Sequence, residues 1–296
     1  AQMCGLFGYV AKEGGAGVDM DILKQIALDV ARRGPQAHGF CHIHNGQLYT
    51  FRSPGDIGRN IECLEWAKGA MVVMGHTRMS SSGSPGDNRN NQPIFFTEDT
   101  RKIEYAIAHN GTLAPIAELE KKHGIKFVTA CDSEAIGLVL QNQEGTWPER
   151  VHKGCVAVCG GDEMPIVLRR RIEDKIITEN YTAAAKARPY AVTVITPDKK
   201  LVMAKDGQPL WVFEEEGGIY YSSTQYVDAV EAVKDGGFVE YDIGPDTRRE
   251  IGPRPKTIAY APPHTNFFGV ERSYFAGTHK KHYPRDGSTA DNNTDY

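Results

Sequence analysis

The hydrophobic pattern divides the first half of the chain into short apolar runs and one clear helical stripe. Leu6, Phe7, Tyr9 and Val10 form a continuous apolar run, closed by Gly14, Gly15 and Gly17, and read as a buried strand. From Asp19 or Asp21 to about Arg32, the residues Ile22, Leu23, Ile26, Leu28 and Val30 supply the apolar side of a helix. An acidic residue stands at its start, where an N-cap belongs, and Arg33-Gly34-Pro35 ends it. Residues 40–51 predict a hairpin turning on Asn45-Gly46, the strongest short turn signal in the chain. Residues 71–75 and 105–108 predict short strands, the first running into His76-Thr77-Arg78 and the second into His109-Asn110-Gly111. Between Ser80 and Pro93 lies a polar loop rich in Ser, Gly, Asn and Pro, of a length that is functional or disordered in compact domains.

Further along, residues 115–123 and 133–140 read as helices, and residues 164–188 as mostly helical and surface-charged. Residues 190–196, 201–204, 210–213 and 218–222 make short strands, followed by a short helix at 228–234 and a last strand at 239–243. After Gly252 five prolines and an aperiodic polar end predict an extended arm, so the expected domains are 1–250 and a Pro-rich arm 251–296. Many short strands with a few helices packed outside them indicate an α+β layered domain.

Composition narrows the function classes. The 296 residues carry 34 Lys+Arg against 38 Asp+Glu, a net charge of −4, which leaves no electrostatic footprint for nucleic acid or an anionic membrane. No apolar run approaches the roughly 18 residues of a membrane helix, and the N-terminus lacks the pattern of a secretory signal. The six cysteines show no zinc-like spacing, and reduced thiols in a cytoplasmic protein are the expectation. No metal or organic cofactor is implied.

The chemistry-bearing candidate is Cys4, a thiol almost at the chain start. Such a thiol can use its own α-amine as the base, because that amine titrates near pH 8. Taken alone, Cys4 also reads as a small apolar residue beside a strand. The motifs Cys4-Gly5-Leu6-Phe7-Gly8, Arg33-Gly34-Pro35-Gln36, Gly75-His76-Thr77-Arg78, Asn90-Asn91-Gln92-Pro93, His109-Asn110-Gly111 and Asp132-Ser133-Glu134 occur in this order. Together they resemble the class II glutamine amidotransferases, whose glutaminase domain is an N-terminal nucleophile hydrolase, over roughly residues 4–245. Among the branches of that family the amidophosphoribosyltransferase-like one is nearest.

The resemblance implies a four-layer αββα sandwich and a set of roles. Cys4 would attack the side-chain amide of L-glutamine, with its α-amine as base. Asn110 and Gly111 would hold the oxyanion, Arg78 the substrate carboxylate and Asp132 its ammonium. Asp132 could equally cap the helix that follows, and Arg78 could be a surface arginine. Arg33 and Gly34 would support the nucleophile strand and line the pocket. His76 and His109 read as structural histidines rather than bases.

Three departures stand out. After Arg78 the chain reads Met79-Ser80-Ser81-Ser82, where sugar-aminating relatives have Trp-Ala-Thr-His and the phosphoribosyl-aminating branch has Tyr-Ser-Thr. Ser81 keeps a hydroxyl at the family's threonine and is assigned to substrate binding on that basis. Ala1-Gln2-Met3 precede Cys4 and lock its nitrogen in a peptide bond, so their removal is expected in the working form. Finally, about 50 residues follow the resemblance, too few for a second catalytic domain. The expectation is a glutaminase subunit that passes ammonia to a separate synthase or ligase, with Phe267, Phe268, Tyr274 and Phe275 either docking there or packing on their own domain. The alternatives are a catalytically silent amidotransferase fold serving assembly, and an N-terminal-cysteine hydrolase of other amides. The resemblance leaves the oligomeric state open.

Overall fold

The computed structural model describes residues 3–242 except 13, 45, 98–103, 161–168, 173–174, 179–187 and 216. Two antiparallel sheets lie face to face with helices on both outer sides. The first sheet contains β1 (Gly5–Ala11), β2 (Ala37–His44), β3 (Gln47–Pro54), β4 (Val72–Arg78), β11 (Trp211–Glu215), β12 (Gly218–Ser222) and β13 (Val230–Glu231), in the order β13-β11-β12-β1-β4-β2-β3. The second contains β5 (Ile94–Phe96), β6 (Tyr105–Gly111), β9 (Tyr190–Ile195), β10 (Lys200–Asp206) and β14 (Gly237–Asp242), in the order β14-β10-β9-β6-β5. A separate hairpin joins β7 (Arg169–Ile172) and β8 (Lys175–Thr178).

The layering explains why the strands read as apolar runs rather than alternating ones. Every residue of β1 is buried because both of its faces are covered. Leu6 and Val10 pack across the sheet interface against Ala106, Ala108, Ala191 and Met203 of the second sheet. Phe7 and Tyr9 point outward onto Leu23, Ile26, Ala27 and Val30 of α1 (Met20–Ala31). The outer face of the second sheet is covered by α2 (Ile116–His123), α3 (Glu134–Gln141) and α4 (Trp147–Cys159), which share a core with Tyr105, Ile107, Val192 and Val194. This is the α+β four-layer sandwich that the resemblance implied.

Local signals and structure agree in several places. Asp19 caps α1, its carboxylate accepting from Asp21 and Ile22 N–H at 2.8 and 3.3 Å. The hairpin of β2 and β3 has Phe40 opposite Phe51. The structure corrects two expectations. The stretch 164–188 is not helical where it is described, since its two described pieces pair as β7 and β8. Nor is there a helix at 228–234, because Val230 and Glu231 pair with Val212 and Trp211. The α4 helix was missed although its start is signalled: the Glu149 carboxylate accepts from Thr146 N–H and Oγ–H, both at 2.9 Å, with Pro148 in the first turn. The boundary at 250 and the arm 251–296, with its aromatic residues, lie outside the described residues.

Candidate active site

The site forms where β1 begins and β4 and β6 end. Cys4 stands immediately before β1, next to the end of β4, because Gly5 pairs with Thr77. A side chain at Gly5 would meet Thr77 Oγ1 at 2.7 Å and Val30 at 2.8 Å, so only glycine lets the strand start this close to α1 and β4. The Cys4 thiol is 8% exposed and lies against the Met79 backbone, accepting from its N–H at 3.4 Å and facing its carbonyl at 3.3 Å. Arg33 Nε donates to the Cys4 carbonyl at 3.0 Å. Gly34 fits between α1 and β4, where a Cβ would lie 2.5 Å from the Thr77 carbonyl. Both residues thus hold the start of β1.

Electrostatics oppose a free thiolate. Burial pushes the Cys4 thiol up, outweighing the Met79 hydrogen bond and the positive charges of Arg78 and Arg33 that pull it down; the Asp132 charge raises it further. A base is therefore needed at neutral pH. Neither nearby histidine supplies one: burial pushes His76 down to about 3 and His109 down to about 4, so both are neutral and weakly basic. Their role is architectural. His76 Nε2 lies 3.2 Å from the His109 carbonyl and ties the end of β4 to the end of β6 across the sheet interface.

That tie places Asn110 and Gly111 at the same end of the sandwich as Cys4. Asn110 is buried, and its Nδ2 has no hydrogen-bond partner among the described residues, a costly state for a buried amide unless a ligand completes it. Gly111 has φ of 155°, and a Cβ there would sit 2.5 Å from His109 Nε2. The preceding residue is held by a buried ring. His109 N–H donates to Gln92 Oε1 at 2.6 Å, Gln92 Nε2 donates to Ser133 Oγ at 3.2 Å, and Ser133 Oγ lies 2.8 Å from His109 Nδ1.

Arg78 and Asp132 are both buried. Arg78 Nη1 donates to Asn91 Oδ1 at 2.8 Å and Ser84 O at 3.4 Å, while Nη2 donates to the Ser82 carbonyl and to Gly83 O at 3.1 Å. Asp132 Oδ2 accepts from Leu113 N–H at 2.8 Å and Oδ1 from Ser82 Oγ at 2.9 Å. Asp132 does not cap α3 with its side chain. Glu134 fixes the approach to it, its carboxylate taking Val128 N–H, Thr129 N–H and Thr129 Oγ–H at 2.6 to 2.9 Å.

Of the residues singled out from sequence, Cys4, Arg33, Gly34, Arg78, Asp132, Asn110 and Gly111 fall around this one place. Ser81 does not join them: it is exposed, and the neighbouring Ser82 makes the hydroxyl contact to Asp132. Sequence reasoning assigned no role to Ser82, Asn91, Gln92 or Ser133. Three of these stand inside motifs already quoted, so only their partners were unreadable. Among the described residues no group of three or more His, Cys, Asp and Glu side chains is placed to hold a metal ion, and no helix is long and apolar enough to cross a membrane.

No family model matches the chain. Glutamine–fructose-6-phosphate aminotransferase of Aquifex aeolicus is 27% identical over 256 residues, which is 83% of this chain and 37% of that protein. Human amidophosphoribosyltransferase is 31% identical over 166 residues, 50% of this chain and 31% of that protein. The chain thus spans about a third of these relatives' length. Among solved structures, glutamine phosphoribosylpyrophosphate amidotransferase from B. subtilis superposes with a TM-score of 0.53 at 19% identity, covering 74% of this chain and 42% of that one. A structure described as the allosteric regulatory enzyme of purine biosynthesis gives 0.55 at 18% identity, covering 81% and 49%. The chain resembles the class II glutamine amidotransferase domain and has its fold.

Proposed function

We propose that this chain hydrolyses L-glutamine to glutamate and ammonia through a γ-glutamyl thioester on Cys4, and that the ammonia passes to a separate synthase or ligase. The observation that carries the reading is a buried thiol that feels the charges of both Arg78 and Asp132, together with a buried Asn110 amide donor that has no partner among the described residues. Arg78 matches an α-carboxylate and Asp132 an α-ammonium, so the pair suits a free α-amino acid rather than a peptide.

The thiol's raised pKa requires a base, and the buried histidines are unsuitable. The α-amine of Cys4, once the Met3–Cys4 peptide bond is cleaved, titrates near pH 8 and can take the thiol proton. Sulfur then attacks the amide carbon while Asn110 Nδ2 and Gly111 N–H take the developing oxyanion. The amine's proton leaves with ammonia, and water, deprotonated by the same amine, hydrolyses the thioester. Removing one oxyanion donor typically raises the barrier by about 3 kcal/mol.

The test compares glutamate release by protein beginning at Cys4 with protein beginning at Ala1. Release from the first only, abolished by Cys4→Ala, is expected. Equal release from both forms would remove the amine from the mechanism. One observation favours a second reading, a catalytically silent assembly component: Ser82 contacts both Arg78 and Asp132. Silence of both forms, together with failure to bind glutamine, would select that reading.

A further inference from the structure

Ser82 touches both charged groups of the site at once. Its carbonyl accepts from Arg78 Nη2, and its hydroxyl donates to Asp132 Oδ1 at 2.9 Å while accepting from Asp132 N–H at 3.0 Å. One acceptor oxygen on the cation and one donor on the carboxylate is the pattern an α-amino acid would present with its own carboxylate and ammonium. The loop carrying Ser82 is bound in place on all sides. Ser80 Oγ donates to Gly83 O at 2.6 Å, Ser80 N–H donates to Gln36 Oε1 at 2.7 Å, and Asn90 Nδ2 donates to Ser84 O at 3.1 Å. Asn90 Oδ1 in turn accepts from Ala130 N–H at 2.8 Å, two residues before Asp132. Gly83 has φ of 65°, and a Cβ there would lie 2.7 Å from the Ala130 carbonyl, so the loop rests directly on the segment that carries Asp132.

We propose that Ser82 is an internal occupant of the amino-acid clamp and a determinant of substrate affinity, which a free α-amino acid has to displace in order to bind Arg78 and Asp132. The inference rests on the assignment of these two residues under the proposed function. Displacement is chemically balanced: a substrate ammonium replaces the Ser82 hydroxyl on Asp132, and a substrate carboxylate replaces its carbonyl on Arg78. Asn91, Gly83 and Ser84 keep the guanidinium in place, and Leu113 N–H keeps the Asp132 carboxylate in place. Because the binding-competent state is the one with Ser82 out of the clamp, apparent affinity is the intrinsic affinity reduced by the fraction in that state. Loss of the Ser82 hydroxyl removes the internal competitor on the Asp132 carboxylate and the acceptor of Asp132 N–H, while the bonds that hold the guanidinium and the Leu113 bond to the carboxylate stay.

The experiment measures L-glutamine binding by titration calorimetry on the full chain carrying Cys4→Ala, which prevents turnover, with and without Ser82→Ala. Removing a hydroxyl bonded to a carboxylate is expected to tighten glutamine about tenfold. Ser82→Thr, which keeps the hydroxyl, should stay within about twofold of the parent. Without ligand, amide hydrogen exchange at residues 80–84 and 130–133 should be faster in the Ser82→Ala protein and unchanged in the Ser82→Thr protein, with thermal midpoints confirming that both fold. Equal or weaker glutamine binding in Ser82→Ala, or unchanged exchange, would overturn the proposal while leaving the function reading intact. Glutamine binding to neither protein would instead overturn the function reading, and the inference with it.

Discussion

Ser133 Oγ lies 2.8 Å from His109 Nδ1, and this contact joins the two halves of the site. Ser133 follows the carboxylate Asp132, and His109 precedes Asn110 and Gly111, the proposed oxyanion donors. Both side chains are buried, and Gln92 closes the ring, its Nε2 donating to Ser133 Oγ and its Oε1 accepting from the His109 backbone N–H. Ser133 stands at the start of α3, yet its side chain makes no capping hydrogen bond there. Ser133→Ala therefore acts through the ring and not through the helix. It leaves one nitrogen each of His109 and Gln92 without this partner, at a cost of about 1–3 kcal/mol, which in a domain of this size lowers the thermal midpoint by about 2–12 °C. In an active form kcat should fall more than KM rises, since the oxyanion donors shift while Arg78 is untouched. Calorimetric melting and steady-state glutaminase assays check this, and an unchanged midpoint would show that the ring carries no stability.

Asn110 and Gly111 should separate catalysis from stability. Asn110 Nδ2 is buried without a partner, so Asn110→Ala removes no hydrogen bond of that nitrogen from the ligand-free protein. Its melting temperature should change little, while glutaminase kcat falls about 10²–10³-fold. Gly111→Ala forces a Cβ to 2.5 Å from His109 Nε2 and 2.7 Å from the Pro189 carbonyl at a φ of 155°, and should destabilise the fold by more than about 2 kcal/mol. Urea midpoints alongside kcat distinguish the two effects. A large stability loss in Asn110→Ala would contradict the assignment of its amide to a ligand.

Site-resolved alkylation reads the environment of Cys4. Burial raises the Cys4 thiol, so its reaction with iodoacetamide in protein beginning at Ala1 should still be climbing above pH 9. Protein beginning at Cys4 should show an added inflection near pH 8 from its α-amine. Cys63, Cys131 and Cys155, pushed up to about 12, should remain unlabelled in the native state. Mass spectrometry of the labelled peptides reports all of these. Identical pH profiles for the two forms would detach the amine from the thiol.

Buried histidines set the acid limit of stability. His76 is pushed down to about 3 and His109 and His152 to about 4, each by burial first. Unfolded histidines titrate near 6.5. Between that value and the folded ones, the unfolded chain binds more protons than the native chain. Stability is therefore full above about pH 6.5 and falls as pH drops, by up to about 1.4 kcal/mol per pH unit for each group. Urea midpoints at pH 7.5, 6.5 and 5.5 should decrease accordingly. His152 has neither ring nitrogen paired among the described residues and rests on the Phe238 ring, so His152→Leu should raise the midpoint and flatten its pH dependence. A midpoint constant down to pH 5 would show that these rings are not buried neutral.

The capped helix α1, the hairpin of β2 and β3 and, through resemblance, the layered sandwich were legible in the sequence, as was the order of motifs that brings Cys4, Arg78, Asn110 and Asp132 forward as candidates. These are legible because each depends on neighbours within a few positions or on a motif whose residues keep their order. Tertiary structure decided what depends on distant partners. Residues 169–172 pair with 175–178 as strands where charge suggested a helical surface, and Val230 adds to the sheet edge where a helix was expected. Among three consecutive serines, the backbone path of the loop exposes Ser81 and turns Ser82 onto Asp132, 50 residues away. No periodicity encodes which of three identical side chains faces inward. The same holds for the neutral state of His76 and His109: a histidine's charge is set by the solvent it loses, and only the closing of two sheets over it decides that.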